Sequence, residues 1–407
     1  MTPTARILLA TPAVYTLWAM GWFGVMTFIN AYYTVELDNG TVAWNGAMLW
    51  FTGGIIVWQL CITEVSARFG RLRTLAGACL AGSIGYLAIP FFDAATFTRW
   101  YAPILFVVMG SIPAAATSVW IPMAAEAGGE RPGRLLALSQ AINVPSCIVV
   151  FAAATWLIDH YRFRVGFLAI GATCLISTVL FFIILRPLDG PRKERIVSLP
   201  RIGWKGVREL ASPAIILILL AGFAAEPFCF QICNQLWPNL MVEHFQWSVT
   251  DTNYAVTFGR LPGMLALLVV SCFIDRLNPV IAYGVMVVLT GLMTVGCGWA
   301  PSGAVAVAAY GGFHLFQCAT WGCDIAALAR CAPARLRDAA ICLGSTVLTV
   351  SAMGVGMLLD AMGRRNIPLW EGFRMSGTCA MILGAILLCG GILRWRAAPP
   401  PQTESIT

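Results

Sequence analysis

The stretch "PAIILILLAGFAAEPFCFQICNQLWP", residues 213–238, decides the class of fold. One charged side chain, Glu226, interrupts it. A helix rises about 1.5 Å per residue, so a run of this length crosses the roughly 30 Å hydrocarbon core of a bilayer. It does not alternate apolar with polar residues, as a barrel strand of about ten residues does. The carboxylate is followed at once by Pro227, which removes a backbone donor and crowds the carbonyl of Phe223, so a kink is expected there. In a membrane such a break is tolerated only where neighbours or cavity water satisfy the freed group.

The rest of the chain repeats this pattern. Of its 407 residues 59% are hydrophobic and 11% charged, with a mean hydropathy of +0.78, against about 25% charged residues in soluble domains. Apolar runs separated by charged breaks predict an all-α polytopic membrane protein of twelve helices, near 10–32, 43–64, 74–92, 101–125, 135–158, 165–186, 213–238, 252–274, 279–299, 303–329, 339–361 and 373–394. The first run is too long for the apolar region of a signal peptide, about 7–15 residues, and is read as a retained span. The polar segment 187–210 separates two six-helix bundles, 1–186 and 211–396, and the Pro-rich tail 397–407 is expected to be disordered. With both termini in the cytoplasm, 19 of the 26 Lys/Arg lie on the inner side, six outside, and Arg260 within a span. That asymmetry argues for cytoplasmic termini and the inner membrane. The same distribution accounts for the net charge of +7 without a nucleic-acid partner. The 14 cysteines fall mostly inside apolar runs, without metal-ligand or paired spacing, and read as small packing residues.

Two loops carry a further signal. After span 2 stands "TEVSARFGRLRTL" (63–75) and after span 8 "SCFIDRLNPVIAY" (271–283). Arg68 and Arg276 are 208 residues apart. A second pair, "ERPGRLLAL" (130–138) and "CAPARLRDAA" (331–340), follows spans 4 and 10. The first loop resembles the signature of the major facilitator superfamily: glycine, small residues, Asp-Arg, then Gly-Arg-Arg/Lys. It departs where Ala67 replaces the aspartate and Thr63 the glycine, with Glu64 one helical turn away; the second loop keeps Asp275 and Arg276. The resemblance implies two rocking bundles with a site at their interface near mid-bilayer. It also implies a gate on the inner side involving Glu64, Arg68, Gly70, Arg71, Asp275, Arg276 and Asp324. Gly70 supplies the positive φ that the short turn needs.

Ionisable groups inside a span are costly and usually mark pathways. In the second half these are Glu226, Arg260 in "TFGRLPGML" and His314, with Gln317, in "YGGFHLFQCATW". By the resemblance, Glu226, Arg260 and His314 face one aqueous cavity. Arg260 is then expected to bind an anionic group, Glu226 to carry a proton and His314 to relay it. A structural Glu226–Arg260 ion pair is the competing reading. The first half supplies Trp18 and Trp22 at i, i+4, Thr117 and Trp120 in span 4, and Gln140 and Asn143 in span 5. Span 5 lacks the Gly-rich run often found in the superfamily's drug exporters. No phosphate loop, metal cluster or nucleophile triad is present, so neither an enzyme nor an ATP-driven pump is expected, and no cofactor. The expectation is a monomeric, proton-coupled secondary transporter of a small organic solute, in one version anionic. A proton-driven exporter of lipophilic compounds is the second reading, and a non-transporting assembly factor the third.

Overall fold

The computed structural model describes residues 1–29, 32–38, 40–129, 131–188, 202–274, 276–365 and 367–397. The central stretch 189–201, the tail 398–407 and Asp275 lie outside the described residues.

Among the described residues the long helical segments are, in order, α1 (3–29), α2 (Gly40–Phe69), α3 (Arg71–Phe91), α4 (Ala94–Ala127), α5 (Gly133–Ile158), α6 (His160–Leu188), α7 (Pro213–His244), α8 (249–273), α9 (Pro279–Trp299), α10 (Gly303–Cys331), α11 (Arg337–Arg364) and α12 (Leu369–Ala397), with a short helix Trp204–Leu210 before α7. Among the described residues nine are long and apolar enough to cross a membrane by length and composition alone; α1, α2 and α10 stand where the first, second and tenth spans are expected. No strand occurs among the described residues. The first helix begins at Pro3, earlier than its apolar run, because Thr2 caps it by accepting the N–H of Ala5. Asp93, Ser248, Asn278 and Ser302 cap four later helices through their side chains.

Short turns need special backbone. Gly70, between α2 and α3, has φ 88°, a conformation open to glycine and costly elsewhere. In the first turn of α6 the backbone breaks at Arg162, φ 67°. The face joining α2 to α3, α4 to α5 and α8 to α9 carries most of the loop arginines and is called the basic face below.

Among the described residues α7 and α8 are each interrupted by a turn, as α4 is at Gly110. In α7 the backbone widens over Ile218–Phe223, turns at Ala224 and Ala225, and restarts as Glu226–Gln235 with Pro227 in its first turn. The kink expected there is thus a tight turn in which the backbone stays right-handed, and Glu226 is the first residue of the helix that follows it. In α8, Val249–Phe258 ends at Gly259 and Leu261–Phe273 opens with Pro262, leaving Arg260 at the break. Proline is tolerated at a helix's first turn because its missing donor has no intrahelical partner there.

Packing of α9 on α12 rests on glycines spaced seven apart: Gly284, Gly291 and Gly298 face Leu388, Gly377 and Trp370. A Cβ on Gly291 would lie 2.7 Å from the carbonyl oxygen of Gly377. Without a hydrophobic drive between helices in lipid, close backbone approach supplies the packing. Gly291→Leu is therefore expected to destabilise the second bundle by about 2 kcal/mol or more through overpacking. Gly296→Ala, whose Cβ would meet only Ala309 at 3.6 Å, is the neutral control in a thermal-unfolding measurement.

Among the described residues the bundles meet at several places, α4 against α11 being one. Trp18 of α1 packs edge-on against Trp321 of α10, ring centroids 6.4 Å apart. Ala141 and Val144 of α5 pack with Leu267 of α8 and Cys318 of α10. On α2 and α11, Thr349 donates to Gln59 Oε1 (3.2 Å), and the Cys342 thiol donates to the Gln59 carbonyl at 2.6 Å.

Candidate functional site

Between the bundles lies a cavity of about 130 Å³. The first bundle contributes Tyr15, Trp18 and Trp22 from α1, Gln59 from α2, Thr117 and Trp120 from α4 and Gln140 from α5. From the second come Phe223, Glu226, Phe230 and Gln231 of α7, Gln317, Trp321 and Asp324 of α10, and Ser345 and Thr349 of α11. On α10 the lining residues fall at i, i+4 and i+7, one face of a helix.

Glu226 is 3% exposed. The Tyr283 hydroxyl donates to its Oε1 at 2.6 Å, and Gln317 Nε2 donates to its Oε2 at 3.4 Å. Gln317 also reaches Thr320 Oγ1 at 3.3 Å, while its own Oε1 is buried with no partner. Tyr283 sits near the basic end of α9 and reaches Glu226 by crossing α7 at Gly222, where a Cβ would stand 2.9 Å from its Cζ. Glycine at 222 therefore admits the tyrosine. A carboxyl whose partners are all neutral can gain or lose a proton without breaking an ion pair.

Arg260 does not meet Glu226. Its Nη2 donates to Asn234 Oδ1 at 3.4 Å, and it bonds the Tyr310 hydroxyl. Asn234 is eight residues beyond Glu226 on α7, about 12 Å further from the basic face at 1.5 Å per residue. Because α7 and α8 are antiparallel, it is Asn234 that shares the depth of Arg260. His314 lies in the same outer cluster, edge-on to Tyr310 at 4.5 Å, and its Nε2 has no hydrogen-bond partner. The expected trio is thus divided. Glu226 and Gln317 belong to the cavity wall, whereas Arg260 and His314 belong to a polar cluster outside it. Asn143 also stands behind the wall: it donates to Gln140 Oε1 at 3.1 Å and accepts from the Cys147 thiol.

Asp324, expected at the gate, lines the cavity instead and is 4% exposed. About two helical turns separate it from the end of α10 at Cys331, which accounts for its depth. Its Oδ1 accepts the backbone N–H of Ile325 at 2.5 Å.

The basic face is tied by charge. Arg71 pairs with Glu126 at the end of α4, and its Nη2 lies 2.6 Å from Asp338 Oδ2 at the start of α11. Arg68 pairs with Glu64 within α2 at 2.6 Å, and Arg276 is exposed. Asp338, which sequence reasoning passed over, carries the tie between bundles. The signal was its place in the repeated loop "CAPARLRDAA". Tyr283 gave no such signal, since a tyrosine near a helix end is unremarkable until α7 is seen beneath it. Among the described residues no group of His, Cys, Asp and Glu gathers to hold a metal.

The sequence profile of the Major Facilitator Superfamily matches residues 13–357. Among curated protein sequences none matches the chain. Solved structures resemble it in fold. The proton:xylose symporter XylE, bound to 6-bromo-6-deoxy-D-glucose, is 13% identical, with TM-score 0.75 over 97% of this chain and 96% of its own. The E.coli fucose:proton symporter FucP, in a singly substituted form, is 12% identical, with TM-score 0.71 over 96% and 98%. A bacterial homologue of the iron transporter ferroportin, in an outward-facing state, is 12% identical, with TM-score 0.73 over 98% and 100%. With the profile spanning most of its length and both bundles arranged about a central cavity, the chain belongs to the major facilitator superfamily.

Proposed function

We propose that the protein is a proton-coupled secondary transporter of a small organic solute, working by alternating access between two six-helix bundles divided near 187–210. The observation that carries this is Glu226: a buried carboxyl in the cavity wall, at the turn of α7, held by Tyr283 and Gln317 and, among the described residues, by no cation. An ionisable group is expensive in a membrane interior and persists where it works. Two of the structural neighbours, XylE and FucP, are proton symporters. The basic face is assigned to the cytoplasm on its arginine excess, and the Arg71–Asp338 ion pair supports reading it as the closed side. The anionic version of the substrate loses its support, because Arg260 stands outside the cavity with Asn234 and Tyr310.

The test is a thermal-shift screen of the purified full chain across metabolite classes at two pH values, followed by liposome reconstitution of each hit under an imposed pH gradient. Solute accumulation that collapses when the gradient is dissipated is expected. Binding of a solute with gradient-independent movement, or no solute-dependent flux for any hit, would sink the proton-coupled reading.

A further inference from the structure

The cavity is selective in charge. Its lining contains two carboxyl groups, Glu226 and Asp324, and among the described residues no lysine, arginine or histidine. Glu226 already accepts from two side chains. Asp324 accepts from a backbone N–H and, among the described residues, from no side chain, although it is 4% exposed. A buried carboxylate without a counter-charge is costly, and a ligand that brings the positive charge removes that cost.

The opposite requirement, a surface for the ligand's body, is met by aromatic rings. Trp18, Trp22, Trp120 and Trp321 all line the cavity. Trp321 is three residues from Asp324 on α10, and its ring packs against Trp18 and Phe230. Tryptophan is the best ring for holding a cation over its face. An anion would instead face two carboxyls with no cationic partner.

We propose that Asp324 recognises a monovalent organic cation with an apolar, ring-sized body, held between its carboxylate and the tryptophans of α1 and α10. This rests on reading the cavity as the transport site, and is independent of the proton coupling.

The experiment uses two probes of the same shape and opposite charge, tetraphenylphosphonium and tetraphenylborate, with the purified full chain in detergent and equilibrium dialysis as readout. Tetraphenylphosphonium is expected to bind saturably and at least about tenfold more tightly than tetraphenylborate. Asp324→Asn should weaken it by about tenfold or more, and Asp324→Glu should retain most of the affinity. If Asp324→Asn is not monodisperse, Trp321→Leu is read instead, with a loss of about threefold or more expected from the ring face. Absence of saturable binding, equal affinity for the two probes, or undiminished binding by the variant overturns the proposal. Proton-driven transport of a neutral solute with no competition from tetraphenylphosphonium overturns it too, while leaving the transporter reading in place. Asp324-dependent binding without any proton flux supports it and removes the proton coupling instead.

Discussion

Glu226→Gln is expected to abolish proton-driven accumulation of the transported solute, while solute binding and counterflow exchange stay within about threefold of the original chain. The reason lies in the partners. The Tyr283 hydroxyl donates to Oε1, and an amide oxygen accepts that bond as a carboxylate oxygen does. The other position then becomes an NH₂ facing Gln317 Nε2, a clash of donors. Gln317 relieves it by turning its amide over, which gives its buried, unpartnered Oε1 a donor. The cost is the contact of Nε2 with Thr320 Oγ1 at 3.3 Å. The fold therefore tolerates the amide, which imitates a permanently protonated carboxyl. Glu226→Ala is different: it leaves the Tyr283 hydroxyl buried and unpaired, costing about 1–3 kcal/mol, and loses stability as well as coupling. Accumulation and counterflow measured side by side in liposomes separate the two. Full accumulation by the Gln variant would remove Glu226 from the proton path.

The residues that were legible in the sequence share one property: their signal is local. Apolar length announces a span wherever it falls, because lipid imposes it without reference to tertiary structure. A lone carboxyl in such a run, as at Glu226, is conspicuous for the same reason. What could not be read is depth and rotation. Arg260 and Glu226 stand on neighbouring spans, and pairing them needs the two breaks, at Ala224–Ala225 and Gly259–Arg260, to fall at one level. They do not, and Asn234 takes the place opposite Arg260. Asp324 reads from sequence as a helix-end residue because the apolar pattern of α10 fades before Cys331. Only the i, i+4, i+7 stripe with Gln317 and Trp321 brings it into the cavity. Tyr283 reaches Glu226 through the space that Gly222 leaves empty, a relation between two residues 61 positions apart. Ala67 broke the resemblance where an aspartate was wanted. In this chain the loop arginine finds carboxylates on other helices, Glu126 and Asp338, so the ion tie survives with its acid relocated.

That relocated tie sets up the second large effect. Arg71→Gln is expected to open the basic face and to cut proton-driven accumulation by about tenfold or more, whereas Arg71→Gln combined with Asp338→Asn should fall less far. Arg71 and Asp338 are 11% and 12% exposed at their side chains, so each is mostly withdrawn from water. Removing Arg71 takes one of two nearby cations from a mostly buried carboxylate and leaves it Arg337, at a cost below the about 3–5 kcal/mol of breaking a fully buried pair. That penalty falls on the closed arrangement alone, since opening exposes Asp338 to water. The equilibrium between closed and open forms therefore shifts by the difference in interaction energy, and a shift of about 1.4 kcal/mol is already tenfold. Neutralising Asp338 as well removes a carboxylate that has lost its Arg71 partner, so the double variant recovers part of the closed population even though it has one interaction fewer. Non-additivity of this sign is the mark of direct coupling between two residues. The reporter is native. Cys342 is buried on the same seam, its thiol on the Gln59 carbonyl. Its rate of maleimide modification, followed peptide by peptide in a mass spectrometer, reports how often α2 and α11 part. The order expected is Arg71→Gln fastest, the double variant intermediate and the original chain slowest. Equal rates in all three would show that the ion tie does not hold the basic face shut.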